Sequence, residues 1–150
     1  MTVVRSRIGI VLGTVAVAMT PFMAEAATSV VNVQLDDRSA GGALTALGMK
    51  VDHREVKAGR VTFRVSNTSR SLVHEMMVVP VANEDPALPY DAKEDKVTEE
   101  SIHSLGEVSE LKPGAHGTLT LQLKPGSYLL LCNQPGHYHA GMYSTLTVIP

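Results

Sequence analysis

The chain has 150 residues, which is enough for one domain with its own hydrophobic core but short for two. A formal net charge of −2 argues against a nucleic-acid binder, which normally presents a strongly basic face. The single cysteine, Cys132, excludes an internal disulfide.

The first 26 residues predict a secretory signal peptide. Two arginines precede a twelve-residue apolar run, Ile8 to Met19, and Ala24-Glu25-Ala26 gives a small-x-small cleavage pattern. The apolar run is shorter than the about 20 residues of a membrane-spanning helix, although a retained N-terminal anchor is the alternative. We expect residues 1–26 to be removed and residues 27–150 to form a periplasmic domain without stable membrane insertion.

From residue 31, polar and apolar residues alternate with the period of two that is typical of half-buried β-strands. The first alternating segment is Val31 to Leu35. The second, Val61 to Val65, follows an Ala-Gly pair and precedes the polar turn Asn67-Thr68-Ser69. Residues 40–50 break this pattern, and we expect a loop with a helical turn there.

Leu72 to Val81 is almost continuously apolar, which predicts a strand that is covered on both faces. Alternation along this strand places His74, Met76 and Val78 on one face. Residues 83–100 then carry seven acidic side chains against two lysines, and they include two prolines. We expect this stretch to be a surface excursion with a short helix from about Thr98.

The last 40 residues predict three further strand segments separated by turns and a loop. Pro-Gly pairs at 113–114 and 125–126 enclose the alternating segment Leu119 to Leu123. Tyr128 to Cys132 is continuously apolar, and Met142 to Ile149 is rich in threonine and β-branched residues. Short strands at this spacing predict an all-β domain, an antiparallel β-sandwich or barrel.

The residues between the last two strands form a candidate metal site. Cys132, His137 and Met142 follow the pattern Cys-x4-His-x4-Met, with the histidine on the loop between the two predicted strands. Thiolate and imidazole bind copper strongly, and a thioether adds a soft axial contact. A lone exposed thiol outside the cytoplasm would be prone to oxidation, so Cys132 is either buried as a small hydrophobic residue or bound to a metal, and the surrounding residues favour the metal. A second imidazole would complete a His₂Cys plane, and His74 is the best candidate because it lies on the apolar strand.

These residues resemble the cupredoxin family of blue copper proteins. The resemblance lies in the pattern Ala-Gly-x-Val-Thr-Phe at 58–63, a histidine on a strand, and the C-terminal motif, whose loop spacing is similar to that of rusticyanin and sulfocyanin. It implies a Greek-key β-sandwich with one type 1 copper per chain near one end. His74, Cys132 and His137 would be the equatorial ligands and Met142 the axial ligand.

The resemblance also implies that the chain is a one-electron carrier through Cu(II)/Cu(I) and not an enzyme. Four side-chain ligands leave no obvious open position for a substrate, and a copper oxidase or nitrite reductase would need a second copper centre. We expect a monomer that binds redox partner proteins transiently where the edge of His137 reaches the surface. The residues around it are small or apolar: Pro135, Tyr138, Ala140 and Gly141.

Glu75 is one feature in which the chain differs from the family, and the further methionines and histidines suggest an alternative function. Several blue-copper proteins have asparagine directly after the first ligand histidine, and Glu75 stands there in this chain, which affects the expected hydrogen bonding around the Cys132 sulfur. Other methionines and a His-x-His pair favour an alternative function in copper storage, delivery or resistance (Met49, Met76, Met77, His139). We expect these methionines to pack in the core and the histidines outside the motif to be exposed (His53, His103, His116, His139).

Overall fold

The structure is a computed structural model that describes residues 28–40, 43–83 and 87–150. Within these ranges the chain forms eleven strands and one 3₁₀ turn, Glu99–Ser101. The strands are β1 (Ser29–Ala40), β2 (Ala43–Val51), β3 (Glu55–Lys57), β4 (Gly59–Asn67), β5 (His74–Val81), β6 (Tyr90–Asp91), β7 (Lys96–Val97), β8 (Gly106–Leu111), β9 (His116–Leu123), β10 (Gly126–Leu131) and β11 (Tyr143–Ile149). The predicted signal peptide, residues 1–26, lies outside the described residues. In the part of the chain that is described, no helix has the length and hydropathy needed to cross a bilayer.

Two sheets pack against each other as a β-sandwich, which confirms the predicted all-β class. The strand order is β2-β1-β4-β9 in the first sheet and β3-β11-β10-β5-β8 in the second, while β6 and β7 form a separate hairpin. The sheets are mixed and not wholly antiparallel, because β1 is parallel to β4 and β3 is parallel to β11. A parallel pair needs a long crossover connection, and β2 and β3 provide it between β1 and β4.

An aliphatic core fills the space between the two sheets. β1 and β4 contribute Val31, Val33, Val61 and Phe63, each at most 1% exposed. The residues between them point outward and are polar, as the period of two predicts. These buried side chains fix the register of the sheet, because a shift by one residue would expose all of them.

The outer face of β5 and β10 is also buried, as the continuous apolar runs predict. Residues 87–102, here called the covering segment, contain the β6–β7 hairpin and the 3₁₀ turn. Val97 of this segment packs with Met77, Val79, Leu129 and Leu131 in a second apolar cluster. The predicted surface excursion therefore covers the second sheet, and the short helix predicted near Thr98 is the 3₁₀ turn.

The prediction of a loop with a helical turn over residues 40–50 was wrong, because residues 43–51 form β2. β2 pairs with β1 and buries Met49, while Leu47 and Val51 pack at the edge of the core. These three apolar residues stand at every second position, as in a strand, but the glycines and alanines from 40 to 48 obscure this period of two. Gly48 faces Asp36, and a Cβ at this glycine would meet the Asp36 carboxylate, so a larger residue here would displace that side chain.

Candidate metal centre

The predicted ligands lie together at one end of the second sheet. β10 lies between β5 and β11 and is antiparallel to both, so its last residue is adjacent to the beginning of each neighbour. His74 is the first residue of β5, Cys132 follows β10 directly, and Met142 directly precedes β11. His137 lies on the connecting loop. The topology thus brings four residues from two chain segments, the start of β5 and the connection between β10 and β11, to one place.

Three donor atoms converge at this end of the sandwich. The Nδ1 atoms of His74 and His137 are 3.2 Å apart. The Cys132 Sγ lies 3.9 Å from Nδ1 of His74 and 3.4 Å from Nδ1 of His137. Metal bonds of about 2.0 Å to nitrogen and about 2.3 Å to sulfur would place the donors of a trigonal plane about 3.5 to 3.8 Å apart. The group therefore has the dimensions of a mononuclear metal site. His74 and Cys132 are fully buried, and His137 is half-buried.

Backbone hydrogen bonds fold residues 132–142, here called the ligand loop because it carries three of the predicted ligands, into a compact turn. The Met142 amide donates to the carbonyl of His137 at 3.0 Å, and the Cys132 amide donates to the carbonyl of Met142 at 3.1 Å. Gly136 and Gly141 have φ values of +78° and +87°, which glycine adopts without strain. The Met142 side chain is fully buried in the same core as Cys132. Met142 thus lies near the three donors, and its thioether is buried.

Burial sets the protonation of the donors in the metal-free chain. It raises the pKa of the Cys132 thiol to about 11. The backbone N–H groups of Glu75 and Gln134 act in the opposite direction and lower this pKa. The Glu75 nitrogen lies 3.4 Å from the sulfur. Burial lowers the pKa of His74 to about 4 and also lowers that of His137. At pH 7 both imidazoles are therefore neutral and can donate a lone pair, whereas the thiol must lose a proton to bind a metal.

We expect the metal-free protein to lose stability as the pH falls from about 6.5 towards 4. A histidine in the unfolded chain takes up a proton near pH 6.5, whereas His74 in the folded chain does so only near pH 4. The unfolded state binds protons first, so the free energy of unfolding falls, by on the order of a few kcal/mol. Urea unfolding between pH 7.5 and 4.5 measures this effect. A His74→Gln variant should show a weaker dependence, and equal slopes for both proteins would contradict the interpretation.

Glu75 connects the two segments that carry the ligands. Its carboxylate accepts a hydrogen bond of 2.9 Å from Nε2 of Gln134, while its backbone amide donates to the Cys132 sulfur. The Glu75 side chain is 7% exposed, and burial raises its pKa. The connection between the loops is therefore made here by a Glu–Gln pair. Gln134 was not among the predicted site residues, although a polar amide two residues after an apolar strand and inside the Cys-x4-His-x4-Met motif was a usable signal.

The remaining candidates lie where the sequence predicted. His139 is exposed and outside the three-donor group, and its ring packs edge-on against Tyr90 with the ring centres 5.4 Å apart. The other histidines outside the motif are exposed (His53, His103, His116). The three further methionines are buried, which confirms the core-packing interpretation (Met49, Met76, Met77).

Comparison with known proteins shows which solved structures share this fold. No protein-family model matches the chain. It is 45% identical to auracyanin B of Chloroflexus aurantiacus over 49 residues, which are 32% of this chain and 21% of that protein, so the match spans about a fifth of the relative's length. In structure it is similar to auracyanin from Roseiflexus castenholzii (23% identity, TM-score 0.52, covering 79% of this chain and 97% of that one). It is also similar to rusticyanin from Thiobacillus ferrooxidans (17% identity, TM-score 0.56, covering 81% and 78%).

The sandwich has the cupredoxin fold, and its His–Cys–His group lies at one end of the second sheet. The chain has the fold shared by auracyanin and rusticyanin, and the resemblance to the cupredoxins that its motifs indicated is confirmed.

Proposed function

We propose that the chain is an exported one-electron carrier that holds a single type 1 copper ion. His74, Cys132 and His137 would be the equatorial ligands and Met142 the axial ligand. The observation that carries this proposal is the convergence of two imidazole nitrogens and one sulfur within 3.9 Å, beside a buried thioether. These are the ligands of a His₂Cys copper site with a weak axial methionine, and the bound ion supplies a Cu(II)/Cu(I) couple.

The protein's contribution is to hold the donors in one arrangement. His74 and Cys132 lie at the ends of paired strands, and the backbone bonds of the loop restrain His137 and Met142. A fixed set of ligands suits electron transfer, since little reorganisation then accompanies the change of oxidation state. The Glu75 amide, which donates to the Cys132 sulfur, stabilises the thiolate that copper binding requires.

The surface around His137 is suited to transient contacts with redox partners. His137 is half-buried, and exposed Pro135 and Ala140 lie on the same loop. Tyr143, which directly follows Met142, is 40% exposed. A modest apolar patch is sufficient, because weak redox complexes bury little area. We propose that electrons enter or leave through the edge of the His137 ring.

Copper storage or delivery has less support. That alternative drew on Met49, Met76, Met77 or His139. The three methionines are buried, and His139 is exposed but lies outside the three-donor group. Met76 belongs to the core between the sheets and Met77 to the cluster under the covering segment, so the two point to opposite faces of β5. A relay needs thioethers that an incoming ion can reach.

A copper titration followed by absorption and electron paramagnetic resonance tests the proposed function. We expect an intense visible band that saturates at one Cu(II) per chain and is bleached reversibly by ascorbate. A nearly colourless adduct, or exchange of Cu(I) without a Cu(II) band, would overturn the proposal.

Export to the periplasm is tested separately by sequencing the N-terminus of protein recovered from the periplasmic fraction. Cleavage after Ala26 should give a chain that starts at Ala27. An uncleaved chain in the cytoplasm or membrane would contradict this part of the proposal.

A further inference from the structure

One buried side chain joins the ligand loop to the covering segment. Asn133 directly follows Cys132 and is fully buried. Its Oδ1 accepts a hydrogen bond of 2.7 Å from the Val97 amide. Its Nδ2 donates to the Val97 carbonyl at 3.0 Å and to Oε1 of Glu99 at 2.9 Å. The carboxamide thus pairs with both backbone groups of Val97, as a neighbouring strand would.

A second contact lies further along the same loop. The Gly136 amide donates to the carbonyl of Asp95 at 2.7 Å. A Cβ on Gly136 would lie only 3.0 Å from the Asp95 carboxylate, so the Asp95 side chain also lies against the loop. The ligand loop is therefore bonded to the covering segment on both sides of Gln134.

The covering segment is itself firmly attached to the second sheet. Val97 is 2% exposed and packs with Leu129 and Leu131, the last residues of β10 before the ligand loop. The amide of Thr98 also donates to the carbonyl of Pro89 at 2.9 Å, which closes the hairpin. Asn133 is thus bonded to a part of the chain that is held by apolar packing.

We propose that Asn133 is a positioning residue for the metal centre. Its bonds to Val97 and Glu99 clamp the ligand loop to the covering segment, which restrains Cys132 next to it and His137 four residues further on. Asn133 is not itself a ligand, because its amide atoms are used in these bonds. The consequence at the metal depends on the proposed copper function, whereas the clamp is a property of the chain alone.

Amide hydrogen exchange on the metal-free protein tests the clamp directly. In an Asn133→Ala variant we expect about tenfold faster exchange at the amides of Gly136, His137 and Met142, because a buried side chain loses three hydrogen bonds. Tyr128→Phe is the matched control, since it removes a bond of 2.7 Å to the Lys124 carbonyl at the far end of β10. Unchanged exchange in Asn133→Ala, or equal acceleration of the loop in the control, would overturn the proposal.

Glu99 provides a second test if Asn133→Ala does not fold. Glu99→Ala removes one of the two acceptors of Nδ2, whereas Glu99→Gln removes the negative charge but keeps an oxygen acceptor. We expect faster exchange of the loop in Glu99→Ala, recovery in Glu99→Gln, and no change in Glu100→Gln, which alters the neighbouring charge only. If Glu99→Gln behaves like Glu99→Ala, the effect comes from charge and the clamp is refuted.

The copper-loaded variants separate this proposal from the proposed function. We expect Asn133→Ala to keep a visible band with a shifted reduction potential and altered copper hyperfine splitting. If the wild type forms the band and Asn133→Ala changes neither exchange nor potential, the clamp fails and the function stands. If the wild type forms no band but the exchange of the metal-free loop accelerates, the function fails and the clamp stands.

Discussion

A Cys132→Ser variant should lose essentially all of the intense visible absorption of the copper-loaded protein. The band expected of a type 1 site arises from charge transfer between a thiolate sulfur and Cu(II). A serine hydroxyl keeps its proton at neutral pH and is a much harder donor, so it cannot replace the thiolate. The two histidines can still hold Cu(II) in a nearly colourless adduct. Absorption and paramagnetic resonance spectra at one copper per chain measure the loss.

The control for this variant is its metal-free fold. Serine is close to cysteine in size, and the Glu75 amide that lies 3.4 Å from the sulfur can donate to the hydroxyl instead. Burial of the hydroxyl should therefore cost no more than about 1–3 kcal/mol. Circular dichroism and urea unfolding of both metal-free proteins establish that the fold is retained. A folded variant that kept the colour would show that Cys132 is not the ligand.

A Met142→Leu variant should keep its copper and its colour but have a higher reduction potential. Leucine fills the buried position without a donor atom, and Cu(II), which carries the greater charge, loses more from this than Cu(I) does. We expect a rise of more than about 59 mV, which corresponds to more than a tenfold change in a one-electron equilibrium. Redox titration followed at the visible band measures the potential.

Met49→Leu is the matched control for the axial position. Met49 is also buried, at 7% exposure, but it lies on β2 in the opposite sheet. Exchange of methionine for leucine usually costs less than about 1.5 kcal/mol in a core, so both variants should fold. A potential that is unchanged in Met142→Leu, or raised equally in Met49→Leu, would argue against an axial role for Met142.

Much of the candidate site was predictable because three of its four candidate ligands are close in the sequence. Cys132, His137 and Met142 lie on one loop between two recognisable strands, so their spacing alone predicts that they meet. His74 lies 58 residues from the cysteine. It was predictable only because it stands on an apolar strand, where burying a polar histidine is unfavourable unless the ring has a partner. The sequence shows that Glu75 stands where several blue-copper proteins have asparagine. Its hydrogen bond to Gln134 could be seen only once β5 and β10 were paired in the structure.

The sequence by itself determined the β class, most of the strands and the three candidate ligands of the C-terminal loop, because these follow from local periodicity and spacing. Only the tertiary structure decided that residues 43–51 pair as a strand, that β1 runs parallel to β4, and that Asn133 bonds to Val97. The Asn133–Val97 bond joins residues 36 apart and the Glu75–Gln134 bond residues 59 apart. Such contacts depend on how the strands and the covering segment pack together, and no short stretch of sequence carries that information.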